Sequence, residues 1–541
     1  MAKRYRPVDR DQAFLFPPDM REWLPAGHPV HLVITAVEDY LDTSAFHAGR
    51  KTGGAGTAGY DPDMLVTVLV WAYAHGITSS RRIEELCRTD VAFRLICAGN
   101  LPDHSTFARF RSDFPDATAA FFTGVLVLCA RLGMGRLGTV ALDGTKIAAS
   151  ASKAANRTEK RLRELAEEAV AAHAAADAAE DELYGEGRRG DEVPPDAWSP
   201  RRRGERIAAA LAQLEAEREA AEAEQQAKAE GFRERQRAGQ RTGRGPAAAE
   251  VALAEENRAR VRAARVAQLA GLAERYAAGP PRRGQPAGVD DYCRVREAAA
   301  KVEAAREREA QRQAAAEAAG PGPVRNITDP DSRLMPTRNG FIQGYNAQNM
   351  TSEDELVIAT ELTDDPVDCG WFEPMPGRAQ DAAALIEAHR PAGGAGPDLA
   401  GQDHGGSGTG IGLALADAGY CSEANLTCPG PDRLIAVGKR RDLEQAARGH
   451  DDAAGGRGGE AVQAMRERLK TADGITAYRQ RGHIAETPHG HIKHNMGIRQ
   501  LSMRGKTRAS AEWKFICAVH NLFKALTTGH LTSQALAALA R

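Results

Sequence analysis

Val140-Ala141-Leu142-Asp143-Gly144-Thr145-Lys146-Ile147 decides the fold. Val140, Leu142 and Ile147 suit a buried strand, and Gly144-Thr145 lets backbone or ligand approach closely. One acid stands inside this apolar run. A carboxylate is costly to bury unless it is paired or binds a metal, so Asp143 asks for partners elsewhere in the chain.

Outward from this strand the character changes twice. Before it, residues 1–135 predict helices: a short one near Pro29–Tyr40, a Gly-rich loop at Lys51–Gly59, then helices opened by Asp61-Pro62, Ser79-Ser80 and Asp103-His104-Ser105-Thr106. Asp61 can cap its helix and Pro62 suits the first helical position. Arg109 and Arg111 lie near the start of the last of these helices. Small helical clusters with basic and hydroxyl side chains on one short helix often bind DNA, so these two arginines are candidate DNA contacts. The plainer reading is a bundle with a solvated face.

After the strand, residues 153–325 turn rich in Ala, Glu and Arg, with helical runs over about 156–184, 201–240, 247–277 and 289–318. That composition predicts a long, exposed, coiled-coil-like helical insertion. No clean heptad persists beyond Ile207, Leu211 and Leu214, which favours a solvated helical hairpin.

Strand signals then return. Gly340–Met350 and Leu356–Leu362 read as paired strands, and Arg433–Val437 as another. Leu413-Ala414-Leu415-Ala416-Asp417-Ala418-Gly419 repeats the opening pattern of an apolar strand ending in Asp. A polar, Gly-rich segment is expected over 441–474. From Thr476 the chain is helical and basic, with ten Lys and Arg against two acids, Glu486 and Glu512, a net of +8. The β-β-β-α-β-α-β-α sequence predicts an α/β mixed sheet. The expected domains are a helical, DNA-binding 1–135 and a catalytic 136–541 interrupted by 153–325.

Composition limits the function classes. The chain has 541 residues and a formal net charge of −2, so any surface that attracts nucleic acid is local. Its eight cysteines form no C-x-x-C pair, which argues against a zinc ribbon or a redox pair. No leader-like start and no long apolar run are present, so a cytoplasmic protein without membrane contact is expected.

Two Asp at strand ends and a Glu in a later helical segment suit a two-metal phosphoryl-transfer site. Two Mg²⁺ ions relieve the repulsion among such carboxylates and activate nucleophile and leaving oxygen. The third acid is sought in Tyr478-x-x-Arg481-x-x-x-x-Glu486-x-x-x-x-x-x-Lys493. Glu486 and Lys493 are two helical turns apart, although Pro488 predicts a kink or a helix start near Thr487. Glu512 is the rival third acid. His489, His491 and His494 lack a fourth zinc ligand and read as a solvated or DNA-facing surface.

These motifs, in this order, resemble bacterial insertion-sequence transposases of the DDE class, in the group spelled out as IS eleven-eighty-two. The matching stretches are Tyr60-Asp61-Pro62 through Asp103-His104-Ser105-Thr106-Phe107, Leu142–Lys146, Thr328–Arg333, Gly344–Gln348, Ala416–Tyr420, Tyr478…Arg481…Glu486…Lys493 and Arg504-Gly505…Glu512-Trp513…His520–Lys524. The chain departs from the pattern at Glu486-Thr487-Pro488-His489-Gly490, where relatives more often have Pro directly after the Glu and an aromatic before the Gly. The insertion is also unusually long. The resemblance implies an RNase H-like catalytic core in which Asp143, Asp417 and Glu486 hold Mg²⁺, with Mn²⁺ able to substitute. It implies that Tyr478, Arg481 and Lys493 contact the transposon end. The expected partners are double-stranded transposon-end and target DNA and, in the DNA complex, a second copy of the chain, at the bacterial nucleoid. Two other classes stay open at this point: an RNase H-like nuclease without strand transfer, and a non-enzymatic DNA-binding or coiled-coil protein.

Overall fold

A computed structural model of the chain describes residues 19–48, 59–168, 203–238, 240, 246–276, 286–318, 324–391, 410–438 and 459–540. The expected Gly-rich loop up to residue 58, the break at Gly185–Pro200 and residues 439–458 lie outside the described residues. The chain forms two compact units, one from Met1–Ala155 with Asp331–Arg541 and the other from Asn156–Pro330.

The strands are β1 (Thr139–Ala148), β2 (Asn156–Thr158), β3 (Val324–Asn326), β4 (Arg333–Thr337), β5 (Gly340–Ser352), β6 (Val357–Thr363), β7 (Leu413–Ala416) and β8 (Asp432–Ile435). In the first unit six of them form one mixed sheet in the order β4-β5-β1-β7-β8, with β6 also paired to β5. β1 is therefore central: it runs antiparallel to β5 and parallel to β7, and β7 runs parallel to β8. The α/β expectation holds at this level, as a mostly helical chain around a mixed sheet. β4, which pairs antiparallel with β5, is absent from the sequence reading. Its Pro336 argues against a central strand, and an edge position accommodates it.

Alternation along the strands splits the core between two faces. Ala141, Leu415 and Leu434 pack with Met465, Leu469, Ile484 and Ala485. Val140, Leu142, Ala414 and Ala416 join a larger core that also holds Val30, Leu65, Val68, Phe107, Phe121, Trp513 and Ile516. The N-terminal helices and the sheet thus share one apolar core. The helix Pro62–Ala74 begins as expected: Asp61 accepts from the Asp63 N–H, Pro62 follows, and almost every later side chain is buried. The helix Lys506–Thr527 packs along Pro115–Arg131 and onto β6.

Two expectations for the C-terminal segment are corrected. Glu460–Lys470 is a helix, because Val462, Met465 and Leu469 give it one buried face. The following helix Ala472–Gly490 runs through Pro488 and continues into a π turn over His491–Asn495. Proline's lost hydrogen bond falls in the last turn, where the helix is already changing pitch.

In the second unit, β2 and β3 pair antiparallel, so the entry and exit of the insertion lie side by side. Beyond them come helices over 159–168, Arg203–Arg237, Glu250–Tyr276 and Cys293–Ala318. Leu162, Leu165, Ile207, Ala210, Leu214 and Ile327 make a small cluster near that root. Farther out, ion pairs such as Arg233–Glu256 and Arg306–Glu255 link exposed helix faces.

Candidate active site

The sheet brings the two acids together by register. Leu142 of β1 pairs with Ala416 of β7 in parallel, so the next residues, Asp143 and Asp417, lie side by side; Asp417 follows the end of β7, whereas Asp143, expected at a strand end, sits midway along β1. Asp143 remains in β1, directly across from Asn349. Asp417 leaves its strand with extended backbone, and its Oδ1 accepts the Gly419 N–H at 2.9 Å.

The helix Ala472–Gly490 lies over this edge. Thr471 caps it by accepting from the Gly474 N–H, and Gly474 must lack a side chain because a Cβ there would meet the Arg468 carbonyl oxygen at 2.1 Å. Ile484 and Ala485 seat the helix on the sheet. From this base Arg481 reaches all three acids. Its Nη2 lies 3.1 Å from Asp143 Oδ1 and 3.5 Å from Asp417 Oδ2, and its Nη1 lies 3.9 Å from Glu486 Oε1. Asp143 is well buried, while the Glu486 carboxylate is open to solvent.

The two aspartates differ electrostatically. Burial opposes ionisation of Asp143, but His489, Arg481 and the Gly144 N–H together hold its carboxyl below the usual range. Burial raises Asp417, and the charges of Asp143 and Asp368 add to that against the pull of Arg481. Neighbouring carboxylates pushed apart in this way are typical of sites that work with charge.

The donor set consists of carboxylate oxygens from the middle of β1, the end of β7 and one helix, converging on one guanidinium whose own Nε is buried without a hydrogen-bond partner. Only the 3.1 Å contact is close enough for a hydrogen bond; the other two are looser ion pairs. All three acids are oxygen donors, the type of ligand a hard divalent cation takes.

The other expected site residues divide. Tyr478 OH donates to the Ala416 carbonyl at 3.3 Å, beside Asp417. Lys493 Nζ donates to Thr145 Oγ1 at 2.5 Å and to the Lys146 carbonyl at 2.8 Å, and burial lowers its pKa. Arg109 is exposed and bonds only weakly to Ser105, at 3.3 Å. Arg111 does not match the expected DNA contact. It points inward, donating to Tyr73 OH at 2.9 Å, the Thr78 carbonyl at 2.8 Å, Ser502 Oγ at 3.1 Å and Ser80 Oγ at 2.5 Å. Glu512 belongs to the same buried network: Tyr73 OH donates to it at 2.8 Å, as do the Ser502 and Met503 N–H groups. The oxygens of Glu512, the rival third acid, are occupied in tying its helix to the core.

Two side chains were not singled out as site residues. Asp368 Oδ1 accepts from Asn346 at 2.7 Å, Gln348 at 2.8 Å and Lys146 at 3.1 Å. A Cβ at residue 144 would fall 2.5 Å from that oxygen, so Gly144 lets Asp368 come close to β1. His489, expected at a DNA-facing surface, is instead buried with Nδ1 3.5 Å from Asp143 Oδ2. The available signal was the run Asn346-Ala347-Gln348-Asn349, since amides in a buried strand need specific partners.

With this geometry in view, the family comparisons agree on a class. Residues 18–113 match a family model described as a transposase domain (DUF772). Residues 457–526, which carry Tyr478, Arg481, Glu486 and Lys493, match a second model, the transposase DDE domain. Together they indicate an insertion-sequence transposase of the DDE class. Asp143 and Asp417 lie outside both matched segments. No curated protein and no solved structure matches the chain.

Proposed function

We propose that this chain binds the terminal inverted repeats of an insertion sequence and cuts and joins DNA strands there, with Asp143, Asp417 and Glu486 as its acidic centre. The observation that carries the reading is that these three carboxylates, from three separate segments of the chain, all reach Arg481. The mixed sheet, with Asp143 on its central strand, is read as an RNase H-like core. The order of motifs favours the IS eleven-eighty-two group.

The residues divide the work as follows. Asp143, Asp417 and Glu486 would hold Mg²⁺ or Mn²⁺. When bound, two such ions lower the pKa of an attacking hydroxyl and stabilise the leaving 3′-oxygen. Asp143, held ionised by its surroundings, is ready to coordinate. Arg481, Tyr478 and Lys493 border the same edge and orient DNA phosphates. Arg109 and the basic C-terminal segment add contacts to the phosphate backbone, which makes binding strongly salt-dependent. Joining two ends requires both to be held at once, which a pair of chains supplies.

Cleavage of a labelled repeat-end duplex tests the assignment. Asp143→Asn, Asp417→Asn and Glu486→Gln should each lose metal-dependent cutting by more than about a hundredfold while still shifting the duplex in a gel. A double variant should be little worse than a single one, because the three act as a unit. Mn²⁺ should replace Mg²⁺ in supporting cleavage. Normal cutting by all three variants would place the chemistry elsewhere. Cutting without any joined product would favour a nuclease.

A further inference from the structure

A chain of directional hydrogen bonds runs behind Asp143. Trp513 Nε1 lies 3.2 Å from Asn349 Oδ1 and 2.8 Å from Thr360 Oγ1, and Thr360 Oγ1 donates to the same Asn349 oxygen at 2.5 Å. An indole N–H can only donate, so the amide of Asn349 is oriented with its oxygen toward Trp513. Its Nδ2 then faces His489 Nε2, at 3.1 Å. A primary amide nitrogen can only donate, so Nε2 must accept and the imidazole proton sits on Nδ1. That nitrogen faces Asp143 Oδ2 at 3.5 Å, on the opposite side of the carboxylate from Arg481. His489, Asn349, Thr360 and Trp513 are all buried, so water does not compete for these groups.

We infer that His489 is a positioning residue: an imidazole, held by Trp513 and Asn349 with its Nδ1–H toward Asp143, that fixes the orientation of the Asp143 carboxylate for cation binding. The inference rests on the reading of Asp143 as a ligand. His489 approaches Oδ2 at a long 3.5 Å, a contact that tightens to a hydrogen bond in this proposal, and Oδ1 faces Arg481 on the side open to a cation. Groups that orient a ligating side chain in this way typically change metal affinity by about 10–100-fold when removed.

Two measurements on the full-length chain test it. The first needs no metal and no variant in the site. Long-range proton–nitrogen spectra of ¹⁵N-histidine-labelled protein should show His489 as a single Nδ1–H tautomer, and an Nε2–H tautomer would overturn the inference. Trp513→Phe, which removes the donor that orients the amide, should make His489 lose that single state. The second measurement is Mn²⁺ affinity by electron paramagnetic resonance. His489→Leu keeps the bulk and loses the donor, and it should weaken Mn²⁺ binding about 10–100-fold. His489→Asn, whose amide nitrogen takes the place of Nδ1, should recover most of the loss. Wild-type affinity in His489→Leu beside weakened binding in Asp143→Asn would reject His489 and keep the site. Wild-type affinity in Asp143→Asn would reject the site itself.

Discussion

Asp143 and Asp417 follow paired residues of adjacent strands yet affect folding in opposite directions. Asp143 has its carboxyl held below the ordinary value by His489, Arg481 and the Gly144 N–H against the cost of burial. It therefore contributes stability above the unfolded carboxylate range, and that contribution is lost as pH falls through the depressed folded value. Asp417 has its carboxyl raised, first by burial. Its charge costs stability at neutral pH, and the cost is relieved as pH falls through the raised value. In metal-free protein at pH 7, Asp417→Asn should melt higher than wild type and Asp143→Asn lower. The Asp417→Asn gain should fade on acidification, which calorimetry across pH 4–8 would show. A similar contrast separates two arginines that look alike in sequence. Arg111→Ala strips a buried network shared with Tyr73 and Ser502 and should cost about 3–5 kcal/mol, as removing one member of a buried charged network does. Arg109→Ala, on an exposed side chain, should stay within about 0.5 kcal/mol while weakening the DNA gel shift. Urea titration separates the two. Sequence spacing could not tell these arginines apart, because inward or outward direction depends on the acceptors Thr78, Ser80 and Ser502 that the fold delivers.

Among the elements, those with strong local signals were legible. Apolar runs bearing an Asp gave β1 and β7, the paired strand signals over Gly340–Met350 and Leu356–Leu362 gave β5 and β6, and capping residues gave the helices at Asp61 and Asp103. What escaped was set by tertiary contact. β4 exists because the edge of β5 offers it partners. The helix Ala472–Gly490 passes through Pro488 because Ile484 and Ala485 hold it on the sheet. The two catalytic-pattern aspartates could be paired from sequence, but Asp368 and His489 could not, since their partners come from β5 and from the opposite end of the chain. One backbone contact fixes the turn that bears Lys493. Gly76, at φ +72°, ends the segment after Pro62–Ala74, and a Cβ there would lie 2.1 Å from the Met496 carbonyl oxygen. Gly76→Ala should cost about 1–3 kcal/mol, from strain at positive φ and from the clash. It should also displace Lys493, giving a lower unfolding midpoint together with weaker DNA-end binding.

The whole molecule consists of a sheet unit and a helical unit that leaves it and returns through the β2–β3 pair. Because the two ends of the insertion are hydrogen-bonded neighbours, deleting residues 160–322 and joining β2 to β3 by a short turn should leave the melting transition of the sheet unit intact. Loss of that cooperative transition would show that the insertion is needed to hold the sheet together. Among the described residues no single helix is long and apolar enough to cross a membrane; the apolar helix Pro62–Ala74 is a core element with its side chains buried. The same layout governs the order in which the molecule is made. Every partner of β1 in the sheet, and the helix that carries Arg481 and Glu486, is encoded after the insertion. The roughly 340 residues between Asp143 and Glu486 take on the order of 20–70 s to synthesise at about 5–20 residues per second. Helices built on local contacts fold early, so the insertion can form on the ribosome while β1 still waits for β5 and β7. A nascent chain therefore carries Asp143 through the synthesis of those residues without the proposed acidic centre, and the proposed cutting of DNA waits until the helix bearing Arg481 and Glu486 has been made.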